Sequence, residues 1–206
     1  DFLQQAACRL GEEFPAIQVH AICADFSHNW SLPGTLPAGK RVVFYPGSTI
    51  GNLEPEAAVT FLQRMRQWVT PGGGVLLGVD LHKSSDRLNA AYNDAAGVTA
   101  RFNLNLLAHV NQALGTRFDP AKFRHRAFYC EEKQRIEMHL VSAEKQSVAC
   151  GEAVFDFEPG ETIHTENSYK YTLEGVQNLA RRAGLKVAKS WMDEEQLFSV
   201  HYLELA

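Results

Sequence analysis

Apolar positions set the rhythm of this chain. Phe2, Leu3, Ala6, Ala7, Leu10 and Phe14 recur at helical spacing before Pro15, which predicts a helix over residues 2–14. From Ile17 to Cys23 the residues alternate as in a strand that ends at Ala24-Asp25-Phe26, and the stretch to Lys40, broken by prolines and glycines, reads as a loop. Arg41 to Tyr45 predicts a buried strand stopped by Pro46-Gly47-Ser48. Pro55 then opens a helix to about Val69, with Ala58, Phe61, Leu62 and Met65 on its apolar side. After the turn from Thr70 to Gly74, the apolar run Val75 to Leu81 has the composition of a strand covered on both faces. Strand, helix and strand at this spacing imply a parallel sheet.

From His82 to Tyr171 the rhythm changes. Helical stretches span Asp86 to Ala95 and Thr99 to Leu114, the second closed by Gly115, and alternating segments follow at Arg135 to Ser142 and Val148 to Phe157. This block reads as an insertion. Leu173 to Ala183 is then an amphipathic helix capped by Thr172 and ended by Gly184, and Leu185 to Met192 and Leu197 to Leu205 are two closing strands. Residues 1–81 and 172–206 are therefore expected to form one α/β domain, interrupted by an α+β insertion over 82–171.

Composition narrows the function. A net charge of -4, a pI near 6.1 and the lack of any basic run give no footprint for nucleic acid. No apolar stretch is long enough to span a bilayer, so a membrane role is not expected. Cys8, Cys23, Cys130 and Cys150 form no C-x-x-C pair, and reduced, cytoplasmic thiols are the simplest reading. The histidines are scattered without ligand spacing, so His125, His139, His164 and His201 are read as structural and no metal site is expected. Oligomeric state is not legible.

A sheet that finishes with helix, glycine, strand, short loop and strand resembles the class I (Rossmann-like) methyltransferase fold. In open α/β sheets ligands lie beyond the carboxyl ends of the strands, here after Cys23, Tyr45 and Val79. In that fold an acidic residue after the third strand, followed by an apolar one, receives the adenine of S-adenosylmethionine. Asp25 and Phe26 fit the pattern, although a capped turn and a core aromatic would look the same. The glycine-rich turn after the first strand and the acidic residue after the second have no counterpart in these residues. The expectation is thus a domain without its first strands, with unpaired sheet edges and poor solubility by itself. The triple glycine at 72–74 precedes a strand and is read as a turn.

Six segments in order carry a closer resemblance: YPGSTIGN (45–52), AYNDAAGVTARFNLNLL (91–107), FRHRAFY (123–129), IEMHLVS (136–142), ETIHTENSYKY (161–171) and LFSVHYLE (197–204). Together they resemble the histidine N-alpha-methyltransferases of ergothioneine biosynthesis, over essentially the whole chain. The resemblance implies trimethylation of the α-amino group of L-histidine to hercynine, with S-adenosylmethionine as methyl donor. It also implies a substrate domain built in part from the insertion.

The resemblance points to particular residues. Asn52, at a strand-end loop, offers an amide donor and acceptor to an amino-acid backbone, though a turn-forming Asn after Gly51 is the plain alternative. Gly47 resembles the position whose backbone approaches the substrate amine. Tyr92 resembles the tyrosine that holds the carboxylate, although a lone Tyr on a helix is commonly core. Glu166 and Ser168 look like the pair that recognises the imidazole; two apart in an extended segment, they leave on one face and can address two ring nitrogens. No catalytic nucleophile is expected, because methyl transfer to an amine asks mainly for in-line positioning. Two other readings stay open: a related methyltransferase with another amino-acid acceptor, and a non-catalytic binding module.

Overall fold

In a computed structural model, which describes residues 2–25, 31–34 and 38–206, the first apolar run forms helix α1 (Phe2–Glu13). None of its residues is buried within the unit Asp1–Ala38, and Phe2 is 87% exposed. The strand expected over Ile17 to Cys23 is not formed; these residues have no regular structure and Ile17 and Val19 are exposed. Alternation alone does not make a strand, because the backbone N–H and C=O groups need a ladder partner. Among the described residues none pairs with this segment.

The second unit, Gly39–Ala206, begins with β1 (Val42–Tyr45), a 3₁₀ turn over Thr49–Asn52, α2 (Pro55–Trp68) and β2 (Gly74–Asp80). The block that follows contains α3 (Ser85–Tyr92), α4 (Val98–Leu114), β3 (Phe123–Cys130), β4 (Arg135–Ser142), β5 (Gln146–Cys150), β6 (Ala153–Phe157) and β7 (Thr162–Tyr169). The chain closes with α5 (Leu173–Arg182), β8 (Leu185–Met192) and β9 (Phe198–Leu205). Three helices have the end signals seen in the sequence: Pro55 at the first turn of α2, the Thr172 hydroxyl accepting from the Gly175 N–H at 2.9 Å on α5, and left-handed Gly115 after α4.

The main sheet has the order β1-β2-β9-β8. β1 and β2 are parallel, as strand-helix-strand requires, and β9 and β8 add as an antiparallel hairpin. Val75, Leu77 and Val79 of β2 point to one side, where they are fully buried with Leu62 of α2, Val176 and Ala180 of α5 and Leu203 of β9. This is the larger core. The opposite face corrects the expectation that β1 is buried, whereas β2 itself has no exposed residue. Val42 and Phe44 are 53% and 68% exposed, and Trp191 on the same face is 44% exposed. Within this unit the helices α2 and α5 cover only the other face. Apolar character on both sides of a strand therefore overstated its cover.

A second, antiparallel sheet, β3-β4-β7, carries α3 and α4 on one face. Leu88 of α3 packs on Ala127, Ile136 and Met138; Leu107 of α4 packs with Phe123 and Leu140. β5 and β6 form a hairpin turned at Gly151 (φ 58°), which accounts for the alternating segment over 148–157. In β7 the pairing skips at Thr165: Met138 faces Glu166 while His139 faces His164. This bulge splits the strand's residues between faces. Glu166 and Ser168 join Met138 and Ile136 on the α3 side, whereas His164, Asn167 and Tyr169 lie with Glu137 and Arg135 on the other.

The two sheets meet at the ends of β2 and β7. Tyr171 donates its N–H to the Asp80 carbonyl (2.9 Å) and accepts from the His82 N–H (3.1 Å). The carboxyl end of a core strand is thereby held beside the polar face of β7.

Candidate active site

The site is assembled by the turn after β1, the end of β2, the end of α3 and the inner face of β7. Ser48 opens the turn in the left-handed region (φ 57°), uncommon for a side chain other than glycine. Its hydroxyl accepts from the Asp80 N–H at 2.8 Å, which ties the turn to the end of β2. Gly51 then lies against β7, and Asn52 ends the turn.

A second strap holds the same turn. Glu54, two residues beyond Asn52, accepts from Tyr169 Oη at 2.6 Å, Asn167 Nδ2 at 2.9 Å and Arg135 at 2.8 Å. The Tyr169 hydroxyl, with Arg135 adding to it, holds the Glu54 carboxyl below its ordinary range. Arg135 is itself buried and pairs with Glu137 at 2.6 Å. The outer face of β7 thus binds the turn bearing Asn52, while the inner face presents Glu166 and Ser168.

Between them is a cavity of about 400 Å³. Gly47, Asn52, Tyr92, Glu166 and Ser168, every substrate residue expected from the sequence, line it together. They come from positions spread over more than a hundred residues of chain. Gly47 carries no internal constraint: a Cβ there would meet only Thr49 Oγ1, at an ordinary 3.6 Å. Its lack of a side chain keeps the cavity wall open. Burial pushes the Glu166 carboxyl above its usual range, with Lys170 acting in the opposite sense. Tyr92 donates its hydroxyl to Ser168 Oγ at 2.8 Å and accepts from Lys170 at 3.1 Å, so it is bound into a polar cluster.

Five lining residues were not singled out in the sequence: Ser48, Thr49, Asp80, Lys170 and Phe198. Lys170 is buried and pairs with Asp80 at 2.9 Å, and Lys83 also pairs with Asp80. A signal existed in the register, since Glu166, Ser168 and Lys170 are spaced by two in one extended segment. Asp80 stands where an apolar strand run ends, the place where ligands bind in an open sheet.

The residues expected for the cofactor belong to the first unit. Asp25 is exposed and lies in irregular chain of the first unit, not at a strand end, and Phe26 lies outside the described residues. The histidines also differ from their expected scatter. His139 and His164 stack at 4.5 Å beside Glu137, brought together by strand pairing rather than by spacing in the sequence. The Glu137 carboxylate is already engaged by the Arg135 guanidinium, which competes with any cation there. His201 is buried in β9 between the hydroxyls of Ser190 (2.8 Å) and Ser199 (2.7 Å), a structural placement.

Comparison with known proteins gives the following likenesses. The model of a family described as "Histidine-specific methyltransferase, SAM-dependent" matches residues 1–205. Histidine N-alpha-methyltransferase of Mycolicibacterium smegmatis is 41% identical over 194 residues, covering 93% of this chain. The protein of the same name from Mycobacterium tuberculosis is 37% identical over 195 residues, again 93% of this chain. The chain spans 60% of the length of each of these relatives. Among solved structures, the CcbJ methyltransferase of Streptomyces caelestis aligns with a TM-score of 0.49 and 16% identity, over 97% of this chain and 75% of that one.

Proposed function

Since this chain belongs to the histidine-specific, S-adenosylmethionine-dependent methyltransferase family, we propose that it contributes to methylation of the α-amino group of L-histidine, ending at the trimethylated product hercynine of the ergothioneine pathway. One observation carries the reading: Glu166 and Ser168 share a cavity with Asn52, Gly47 and Tyr92. A carboxylate and a hydroxyl on one strand face suit the two nitrogens of an imidazole, and the Asn52 amide can meet both charged ends of an amino acid. A site that pairs buried polar groups with ring nitrogens discriminates strongly, because a substrate without them leaves those groups unpaired.

Positioning is the chemistry required of these residues. The ring is held by Glu166 and Ser168 and the amino-acid backbone by Asn52, leaving the amine at the bare wall of Gly47. An α-amino group with a pKa of about 8 must lose its proton before it can act as a nucleophile. The open wall at Gly47 fits the approach of a methyl donor, and Asp25 with Phe26 would receive its adenine. S-adenosylmethionine, when bound, supplies an electrophilic methyl on sulfur. In this proposal residues 1–81 and 172–206 form the methyltransferase domain and 82–171 the substrate-binding insertion; the protein acts in the cytoplasm, without nucleic acid or membrane.

The test is methyl transfer by the complete gene product to histidine and, in parallel, to tryptophan and phenylalanine. Preferred transfer to histidine, reduced by Glu166→Ala and by Ser168→Ala, supports the reading. Transfer to another amino acid that neither substitution affects favours a different acceptor, and binding of histidine without any transfer favours a binding module.

A further inference from the structure

Lys170 has a fully buried side chain, and its ammonium brings three protons and no acceptor. Three oxygens take them: Asp80 Oδ2 at 2.9 Å, Ser168 Oγ at 2.8 Å and Tyr92 Oη at 3.1 Å. The ammonium is saturated by protein and has nothing to offer a ligand. Tyr92 Oη and Ser168 Oγ are themselves 2.8 Å apart, a contact that uses one hydroxyl proton. The phenol, with a pKa of about 10, is a stronger acid than an aliphatic hydroxyl and supplies it. Ser168 Oγ therefore accepts from both Lys170 and Tyr92, which fills both lone pairs. Its own proton is the one left for the cavity.

We infer that Lys170 is a positioning residue that makes Ser168 an obligate hydrogen-bond donor, so that the cavity takes the acceptor's imidazole as one neutral tautomer and rejects imidazolium. The inference rests on the histidine reading of the cavity. Glu166, as a carboxylate, only accepts, and Ser168, so constrained, only donates. A neutral imidazole presents one N–H and one bare nitrogen, which matches the pair. An imidazolium presents two N–H groups, and the second would meet the Ser168 proton. The charged and titratable groups around the ring reinforce this: Glu166 and Lys170 at β7, Asp80 and Lys83 at the end of β2, and Tyr92 from α3. The Asp80 carboxylate is engaged by both lysines, and no second free carboxylate of this set faces the ring to favour its protonation.

Calorimetric titration of the complete gene product with L-histidine tests the inference. With a ring pKa near 6.5, affinity should be about tenfold weaker at about pH 5.5 than at about pH 7.5. β-(1,2,3-triazol-4-yl)alanine, whose ring stays neutral over that range, should bind with little change. In Lys170→Met the Ser168 oxygen regains a lone pair and can accept from imidazolium, so the histidine profile should flatten to less than about threefold. Tyr92→Phe removes the other donor to Ser168, keeps the Lys170–Asp80 pair and should flatten the profile too, which preserves the test if the lysine variant does not fold. A flat profile in the unaltered protein, an unchanged profile in a folded variant, or a parallel loss of triazolylalanine binding overturns the inference alone. Absence of histidine binding at every pH overturns the acceptor assignment, and this inference with it.

Discussion

Gly51 lies against the backbone of Tyr169 so closely that a Cβ on it would sit 2.9 Å from the Tyr169 carbonyl oxygen. The turn that carries Asn52 touches β7 only because residue 51 has no side chain. Gly51→Ala must push the turn away from the strand, with an overpacking cost of about 1–3 kcal/mol. Thermal unfolding should show that loss, and histidine titration should show weakened binding as Asn52 leaves the cavity wall.

Gly47 should behave in the opposite way. A Cβ there meets only Thr49 Oγ1 at 3.6 Å, so Gly47→Ala should leave the unfolding temperature nearly unchanged. The added methyl group projects at the wall where the amine is proposed to sit, and methyl transfer should fall well before stability does. A Gly47→Ala protein that melts early would show that residue 47 is glycine for the fold instead.

Glu166 should display a trade between stability and binding. Burial raises its carboxyl pKa, so the charged form is less favoured in the folded chain than in the unfolded one. An acid with a raised folded pKa is most favourable to the fold at low pH and loses that advantage as pH rises through the folded value. At neutral pH the buried charge is a burden that Glu166→Gln removes, with an expected gain of about 0.5–1 kcal/mol. The same change takes away a charged acceptor for the ring N–H, worth about 1.5–3 kcal/mol or roughly 10- to 150-fold in histidine affinity. Higher melting temperature with weaker binding is the expected result; lower stability would remove the burial argument.

How much of this was legible in the sequence follows from which interactions are local. The helices and closing strands were readable because caps and apolar spacing act within a few residues, as at Thr172 and Gly184 around α5. The residue set of the cavity came from resemblance, and the spacing of Glu166 and Ser168 placed both on one face. Lys170 showed only its spacing from Glu166 and Ser168, because its partners Tyr92 and Asp80 are 78 and 90 residues away in sequence. The stack of His139 on His164 was hidden likewise, since it depends on the β4–β7 register and the bulge at Thr165. The missing strand over Ile17 to Cys23 and the open face of β1 have one cause: alternation reports what a segment can bury, not whether a neighbour is present to bury it.

Acid should loosen the joint between β7 and the turn before Pro55. Burial opposes ionisation of Glu137, but hydrogen bonds from Arg135 and His139, with the nearby charges of Arg135 and Lys133, hold its carboxyl at about 2. A depressed carboxyl contributes stability that is complete above its unfolded value, about 4.3, and is lost as pH falls from there through the folded value. Unfolding midpoints should therefore drop steeply between about pH 4.3 and about pH 2. Glu137→Gln should remove about 3 kcal/mol at neutral pH and flatten that acid limb. An acid limb of unchanged steepness in the variant would assign it to other carboxylates.

The uncovered face of the main sheet makes the last prediction. Phe44 is 68% exposed, Val42 53% and Trp191 44%, all on the side of the sheet away from α2 and α5. Covering a side chain such as Phe44 would be worth about 1.5–3 kcal/mol, and the edge of β1, which pairs with no second strand among the described residues, adds backbone groups that invite association. The 206-residue chain by itself should accordingly bind a hydrophobic dye and self-associate, and Phe44→Lys should reduce both without disturbing the core formed by Val75, Leu77 and Val79 on the opposite face. Light scattering and dye fluorescence read this directly. A monomeric chain with a cooperative melt and no dye binding would mean that this face is not left open in solution, and the solubility argument drawn from the unpaired strand would fall with it.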